Sequence, residues 1–437
     1  MKNHREIMKI NLVILTFILT ITLIVGCESG HADAGSGNVI NRQIILNGDS
    51  TDGERNRLLK EDLEFFKMEL PNKHKNPFSV ITREEFEKSV STLEQNVDKM
   101  DNYQVFSELG KIIASIKDAH TMTNYVDGKK YPLDFYVIND EMYIVNTTKN
   151  LKDMMYSKII SVDGISWDII KNELKQQIAY ENESWLKLLL GNYFIPSYIY
   201  GAGIEKNAAS HTFKVERDGK TEEFEVPVLN FEDTIDFYED KNSYKMLGKF
   251  DRYYDYKYLQ EDKALYFEYN VCADMDTLKF KDFNDNMFKD IEANEIEKII
   301  VDLRGNTGGN SEVLNPFTES LKSYIKSNSN VKVYALVGRK TMSSGMFAIF
   351  RIRDAVPAAV CVGEPTGGAI DCYGDVKVFY LPNSQLPVQY STKYFEFSKT
   401  FKYEISGSNT YTPDVLLSPS IEDFINGNDV VLNYVLQ

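Results

Sequence analysis

The spacing of apolar residues first follows a helical period. Between residues 57 and 120, apolar side chains recur every three or four positions. The clearest run is Phe106, Leu109, Ile112, Ile113 and Ile116. This spacing predicts a small helical domain whose last helix ends near 117–120. Pro71 and Pro77 are expected to break the first helices, because proline cannot continue a helical hydrogen-bond ladder.

The pattern changes after residue 130, where short apolar runs alternate with turn residues. Runs at 133–138, 142–145 and 158–162 are typical of strands, and 167–180 has the spacing of a helix. Asp218-Gly219 between two alternating runs predicts a hairpin with a type I′ turn. The region up to residue 230 is therefore expected to be a mixed α/β module.

A third pattern occupies residues 260–437, where short continuous apolar runs are separated by helix-length segments. Continuous runs of this kind indicate strands that are buried on both faces of a parallel sheet. They lie at 264–267, 299–303, 331–337 and 359–363. Helices are expected near 283–294 and 311–325. Strands that alternate with helices predict an open α/β sheet.

The first residues have the pattern of an export signal. Lys2, Arg5 and Lys9 precede an almost wholly apolar stretch, residues 10–26, which is short for a membrane span. Residues 23–27, Leu-Ile-Val-Gly-Cys, resemble a bacterial lipobox, which implies cleavage before Cys27 and a lipid on its sulfur.

The alternative is an uncleaved anchor helix, and both readings place the rest of the chain outside the cytoplasmic membrane. Residues 27–56 are rich in Gly, Ser, Asp and Asn, which predicts a flexible tether between the membrane and the folded part.

Composition narrows the class of protein. The chain has 437 residues, is 43% hydrophobic and 12% aromatic, and so can build two or three packed domains. Its net charge of -16 argues against a nucleic-acid partner. No CxxC pair, HExxH motif or nucleotide signature is present, so we expect no metal and no cofactor. Cys361 and Cys372 could form a disulfide or simply fill the core.

Two segments carry candidate catalytic groups at the ends of predicted strands. In 301–310, Val-Asp-Leu-Arg-Gly-Asn-Thr-Gly-Gly-Asn, a buried strand enters a glycine-rich turn whose N–H groups could bind an oxyanion. In 337–348, Ser343 and Ser344 lie where a strand meets a helix, a position that suits a nucleophile. The structural alternatives are a tight turn without a ligand and a serine that only caps the helix.

One of the five histidines has a position suited to catalysis. His120 follows an apolar helix, whereas His4 and His31 lie in the signal and tether. His74 lies in a polar segment, and His211 precedes a strand. A lone histidine such as His120 can equally be structural.

Together these segments resemble the S41 family of serine peptidases, the C-terminal processing and tricorn-type group. Five motifs carry the resemblance in the family's order, over about residues 60–437. They are Asp118-Ala119-His120-Thr121, the DLRxNxGG-like Asp302–Gly309, Thr341–Ala348, Gly363–Gly368 and Thr412–Val415 before Ser420–Phe424.

The resemblance implies a catalytic design. No lysine lies between Lys340 and Lys377, so the serine–lysine version of the family is unsupported. The tricorn-like version, with His120 as general base, is the one implied. Alignment of Ser-Ser-Gly-Met with the family pattern makes Ser343 the nucleophile, whereas alignment backward from Gly363 favours Ser344.

Further roles follow from the same resemblance. The oxyanion is expected on backbone N–H groups of Gly309 or Gly308 and of Ser344. Glu404 lies where tricorn-like members carry their orienting glutamate, and the alternative for it is a surface carboxylate.

The implied fold class is multidomain α/β. Its parts are a signal peptide (1–26), the tether (27–56), an N-terminal helical domain (57–128), a PDZ-like α/β module (129–230) and a crotonase/ClpP-like α/β catalytic core (231–437).

The expected protein is an extracytoplasmic, lipid-anchored serine endopeptidase of the bacterial cell envelope that acts on polypeptides. One alternative is a non-catalytic ligand- or peptide-binding lipoprotein on the same fold. Another is a serine hydrolase of small substrates. Retention of the His120, Ser343 and glycine-turn segments together favours catalysis.

Overall fold

The computed structural model describes residues 51–125, 128–238, 252–405 and 408–437, together with 42, 45 and 48. The predicted signal peptide, Cys27 and most of the predicted tether lie outside the described residues.

The described elements are numbered in chain order. The helices are α1 (Gly53–Lys73), α2 (Arg83–Asn96), α3 (Asn102–Ala114), α4 (Trp167–Gln177), α5 (Glu183–Asn192), α6 (Pro196–Ile199), α7 (Phe280–Ala293), α8 (Asn315–Ser327), α9 (Ser344–Ala355), α10 (Phe397–Thr400), α11 (Ile421–Asn426) and α12 (Val430–Leu436). The strands are β1 (Met122–Thr123), β2 (Lys129–Lys130), β3 (Leu133–Ile138), β4 (Glu141–Thr147), β5 (Lys158–Val162), β6 (Ile165–Ser166), β7 (Ser210–Arg217), β8 (Lys220–Pro227), β9 (Leu229–Asn230), β10 (Tyr254–Leu259), β11 (Ala264–Tyr269), β12 (Lys298–Asp302), β13 (Lys332–Val337), β14 (Val360–Gly363), β15 (Asp371–Tyr380), β16 (Pro387–Glu396) and β17 (Val415–Leu416).

Helices α1 to α3 form the helical region that the apolar spacing predicts. Asp52 caps α1, so the helix begins at Gly53 and includes the last residues of the predicted tether. The break predicted around Pro71 and Pro77 lies at 74–82, between α1 and α2, but Pro71 itself is still in the last turn of α1, which continues to Lys73. A proline near a helix end removes few hydrogen bonds, and the buried Leu70 holds this turn against the core.

Helix α3 ends at Ala114, a few residues before the predicted end. The apolar faces of α1, α2 and α3 share one buried cluster with side chains of β15 and β16. The helical region is therefore packed directly on strands from the far end of the chain.

The module that follows is an antiparallel sheet in the order β3-β4-β5-β7-β8. Two-residue turns join β3 to β4, β5 to β6 and β7 to β8, and their residues have positive φ, as at Asp218 (52°) and Gly219 (73°). The predicted Asp-Gly hairpin is confirmed, because both central residues of a type I′ turn need positive φ. Helices α4 and α5 pack on this sheet.

The main sheet has the order β10-β11-β12-β13-β14-β17, with an antiparallel first pair and parallel pairs elsewhere. The largest buried cluster covers one face under α7, α8 and α9, and α12 covers the other face. This confirms the open α/β sheet. Cys361 and Cys372 are free and buried, which matches the core-filling alternative.

A third sheet, β1-β16-β15, connects the regions. Strand β1 pairs with β16 through Met122 opposite Gln389 and Thr123 opposite Val388. This pairing ties the loop after α3, which carries His120, to the β15–β16 hairpin, which lies in the chain between β14 and β17 of the main sheet.

Candidate active site

The carboxyl end of β12 is fixed by a buried group of charges. The Arg304 guanidinium lies 2.6 Å from Asp302 Oδ2 and 2.7 Å from Asp429 Oδ1, and the Tyr266 hydroxyl donates to Asp302. All three charged side chains are almost fully buried. Because breaking a buried ion pair leaves a charge without compensation, this group fixes where the following turn begins.

Asn306 organises the glycine turn. Its side-chain amide donates to the carbonyl of Tyr269, and its Oδ1 accepts from the N–H of Gly308 at 2.9 Å. Its backbone carbonyl accepts from the N–H of Met342 at 3.0 Å. One buried side chain and its own backbone thus join the turn after β12 to the segment after β13.

Gly308 and Gly309 allow the two segments to approach closely. Their φ angles are 107° and 126°, which L-residues rarely adopt. A Cβ placed on Gly308 would lie 2.8 Å from Cβ of Ser343 and 3.1 Å from its Oγ. A Cβ on Gly309 would lie 2.5 Å from the carbonyl oxygen of Cys272. Glycine is therefore required here by both backbone angle and space.

Ser343 lies at a sharp turn at the N-terminus of α9. Its φ of 54° and ψ of -124° are unusual for a residue other than glycine. Such strain often marks a functional position. The Ser343 hydroxyl makes no hydrogen bond with any residue of the described chain, whereas the Ser344 hydroxyl donates to the Gly309 carbonyl at 2.5 Å. This difference supports Ser343 over Ser344 as the nucleophile.

The same turn offers backbone donors. Within the described ranges, the N–H groups of Gly309 and Ser344 donate to no other group. The N–H of Gly308 is already used by Asn306. Of the two glycines that the sequence left open as oxyanion donors, the geometry therefore favours Gly309 together with Ser344.

His120 lies in the loop between α3 and β1, with a side chain that is 12% exposed. Its carbonyl accepts from the Gln389 side chain at 2.8 Å. Neither ring nitrogen has a hydrogen-bond partner among the residues that the structure describes. Burial lowers the pKa of His120, and the Asp118 carboxylate opposes that shift. A neutral imidazole with free nitrogens is suited to accept a proton.

The backbone neighbours of the two candidate catalytic residues share one core. Ala119 and Met342 belong to the same buried apolar cluster, which is otherwise built mainly by the module. The module also holds the segment after β14: Asn182 donates to the Gly367 carbonyl and Ser184 to the Pro365 carbonyl. The loop that carries His120 (the histidine loop), the turn at Ser343 (the serine turn) and the module therefore meet around one cluster.

Two residues near His120 were not singled out by sequence reasoning. The Asp118 side chain is fully buried and accepts from His74 Nε2 at 2.9 Å. The polar segment around His74 predicted a loop, but the structure buries its side chain at the end of α1. Asp118 could have been found from its place in the Asp-Ala-His-Thr motif, whereas nothing local marks His74.

Glu404 is placed differently from what the resemblance implies. Its side chain is exposed, and it makes no hydrogen bond or ion pair with any described residue. The structure therefore brings Ser343, Ser344, Gly308 and Gly309 together and leaves Glu404 without a contact that would let it orient His120.

The described part of the chain offers neither a metal site nor a membrane-spanning helix. Among the described residues, no group of His, Cys, Asp and Glu side chains is arranged to hold a metal ion. No helix in the described ranges is both long and apolar enough to cross a membrane.

Comparison with known proteins shows what the fold resembles. No family model matches the chain, and no curated protein matches it. The structure of mature CPAF complexed with lactacystin is similar with a TM-score of 0.61 at 12% identity, covering 87% of this chain and 98% of that chain. Mature CPAF alone gives a TM-score of 0.58 at 12% identity, covering 87% and 96%.

The photosystem II D1 C-terminal processing protease also matches, with a TM-score of 0.38 at 12% identity over 86% of this chain and 98% of that chain. The two CPAF structures carry the fold comparison, and they confirm the expected multidomain α/β architecture.

Proposed function

We propose that this chain is a serine endopeptidase of the S41 family that forms an acyl-enzyme on Ser343, with His120 as general base. The observation that carries the proposal is the turn at Ser343, whose free hydroxyl lies against a Gly-Gly turn beside two free N–H groups. CPAF, whose fold this chain shares, is a serine protease of that family. The similarity of fold supports the proposal, and the geometry of the site provides a hydroxyl nucleophile and two donors for an oxyanion.

The proposed steps follow from acyl transfer. His120 takes the proton of the Ser343 hydroxyl while Oγ attacks the scissile carbonyl carbon. The N–H groups of Gly309 and Ser344 bind the oxygen that becomes negative. His120 then gives its proton to the leaving amine, and a water molecule hydrolyses the ester in the second half of the reaction.

The base and the nucleophile are not hydrogen bonded in the described structure. In enzymes without substrate, catalytic hydrogen bonds are often long and form fully only in the substrate complex. The proposal therefore implies that a bound polypeptide draws the histidine loop and the serine turn together.

A hydrolysis experiment tests the function. The full-length chain, purified in detergent, is incubated with a peptide library and read by mass spectrometry beside Ser343→Ala and Ser344→Ala. We expect cleavage to vanish in Ser343→Ala and to persist, at a reduced rate, in Ser344→Ala, because the Ser344 hydroxyl supports the turn through Gly309.

Labelling with a fluorophosphonate serine probe provides a second readout. We expect modification of Ser343, mapped by mass spectrometry. Labelling of Ser344 alone would identify Ser344 as the nucleophile. If the chain shows no cleavage and no labelling, the alternative of a binding lipoprotein is supported.

The cellular location forms the second part of the proposal. Lys2, Arg5 and Lys9, the apolar residues 10–26 and the lipobox-like segment ending at Cys27 support a lipid-anchored protein outside the cytoplasmic membrane. Mass spectrometry of the chain made in a bacterium should find a lipid-modified N-terminal Cys27. An unmodified chain that still begins at Met1 would support the uncleaved anchor helix instead.

A further inference from the structure

The carboxylate that faces His120 belongs to Asp118, two residues earlier in the same loop. Asp118 Oδ1 accepts from the backbone N–H of His120 at 2.8 Å and lies 3.9 Å from Nδ1 of its ring. That second distance is too long for a hydrogen bond but short enough for a direct charge interaction. No other carboxylate of the described chain forms an ion pair with His120.

The other oxygen of Asp118 is fixed from two directions. Oδ2 accepts from the Thr121 hydroxyl at 2.6 Å and from His74 Nε2 at 2.9 Å. His74 Nδ1 accepts from the backbone N–H of Asn76 at 3.0 Å, so the proton of a neutral His74 ring lies on Nε2. His74 is therefore a donor to Asp118, and the carboxylate can remain an acceptor at both oxygens.

These contacts determine the charge of Asp118. Burial acts to raise its pKa, but the hydrogen bond from His74, the attraction to His120 when that ring is protonated and the hydrogen bond from Thr121 lower it below the ordinary value. Glu181 and Cys372 also face Asp118. Burial and the Asp118 charge raise the pKa of Glu181, and burial does most to raise that of Cys372. Asp118 is thus the anion of this cluster.

We propose that Asp118, held by His74 and Thr121, is the positioning residue that orients His120 and stabilises its protonated ring during acylation. The inference rests on the proposed function and assigns to Asp118 the role that the family resemblance implies for Glu404. When His120 takes the serine proton, the new positive charge forms beside a fixed, buried carboxylate. Glu404 is exposed and has no such contact in the described chain.

The competing explanation is that Asp118 only closes a turn. Its Oδ1 accepts from an N–H two residues on, which is the geometry of an Asx-turn, and the Thr121 N–H donates to its carbonyl. Asp118→Asn separates the two roles. An asparagine carbonyl can accept the same turn hydrogen bond, but it carries no charge, and its NH2 group replaces the oxygen that accepts from His74 and Thr121.

The first readout does not depend on activity. The His120 ring is titrated by NMR in the full-length chain labelled in its histidines, and its signal is assigned by loss in His120→Gln. We expect its pKa to fall in Asp118→Asn, because an anion that favours the protonated ring has been removed. An unchanged pKa would overturn the inference whatever the peptidase activity.

The second readout is catalytic. Asp118→Asn should reduce kcat by about 10- to 100-fold with little change in KM, and should move the acidic limb of kcat/KM to lower pH. A purely structural role would lower the active fraction without moving that limb. If Glu404→Gln moves the limb and Asp118→Asn does not, Glu404 is the orienting acid.

The chain offers a matched control. Asp163 accepts from the buried His211 at 2.6 Å and from the N–H of Thr212, which is the same kind of histidine–aspartate pair in the module. Asp163→Asn should leave the His120 titration and the kcat/KM profile unchanged. If Asp118→Asn does not fold, Asp118→Ser can replace it, because serine keeps an acceptor for the turn. Asp118→Glu, which keeps the charge, should restore the acidic side of the wild-type kcat/KM profile.

Discussion

The two halves of the candidate site are built in different ways. The serine side, residues 302–309 and 341–345, is shaped by backbone angles and short contacts between two strand ends of one sheet. The histidine side, residues 74, 117–123 and 389, is held by side chains from three distant parts of the chain. The proposed nucleophile is therefore positioned by local sequence, whereas the position of the proposed base depends on tertiary packing.

The largest expected effect comes from Gly308→Ala on the serine side. The new Cβ would lie 2.8 Å from Cβ of Ser343, at a φ of 107° that alanine rarely adopts. We expect peptidase activity to fall by about 10³-fold or more, because displaced oxyanion donors and a displaced nucleophile each cost orders of magnitude. Steady-state peptide hydrolysis measures the effect.

Gly219→Ala is the control for backbone strain alone. Gly219 also has positive φ, 73°, but nothing lies within 4 Å of its missing Cβ. Its substitution should cost about 1–2 kcal/mol of stability and leave activity unchanged. Equal losses of activity in both variants would mean that strain, and not the approach to Ser343, limits the serine side.

The next effect concerns stability. Arg304→Met leaves Asp302 and Asp429 buried without their partner, and we expect a loss of about 3–5 kcal/mol in chemical unfolding of the main-sheet region. Lys281→Met, which removes an exposed pair with Asp285, should leave chemical unfolding nearly unchanged, because water screens an ion pair on the surface. If Arg304→Met loses little unfolding free energy, the glycine turn does not depend on the buried charges.

A smaller effect is expected on the histidine side. Gln389→Ala removes the 2.8 Å hydrogen bond to the His120 carbonyl, worth about 1 kcal/mol. The histidine loop should then be less well placed, with kcat reduced by about 3- to 10-fold and KM nearly unchanged. Gln176→Ala, which loses an exposed hydrogen bond to Asn172, is the control. No change in kcat would mean that β1 and Asp118 suffice to hold the loop.

The smallest expected effect concerns the pH dependence of kcat/KM. Burial lowers the pKa of His120, and the general base works only when neutral. The lowered pKa keeps the ring neutral to lower pH, so kcat/KM should reach half its maximum on the acidic side below about pH 6.5. A limb above pH 6.5 in the wild-type profile would contradict a desolvated base and favour an exposed one.

The segments of the serine side could be located from the sequence because their signals are local. A buried apolar strand, a Gly-Gly turn and a serine before a helix are each readable within about ten residues, and the parallel sheet then places their ends together. The helical spacing at Phe106–Ile116 and the Asp218-Gly219 hairpin were predictable for the same reason.

The histidine side was only partly predictable. His120 was found from its place at the end of an apolar helix, but the burial of His74 and its bond to Asp118 follow from packing between α1 and the loop after α3. Glu404 was assigned by resemblance alone, and its exposure has no local signal. Pairing of β1 with β16 joins residues more than two hundred positions apart, which no spacing rule reveals.

The sequence by itself determined the α/β class, the order of regions, the turn glycines and the serine at the helix start. It could do so because periodicity and backbone preference act over a few neighbouring residues. Only the tertiary structure decided which carboxylate faces His120, which serine hydroxyl is free and which glycine N–H remains available. Those outcomes depend on hydrogen bonds and burial between residues that are far apart in the chain, where one competing partner such as Asn306 or His74 changes the result.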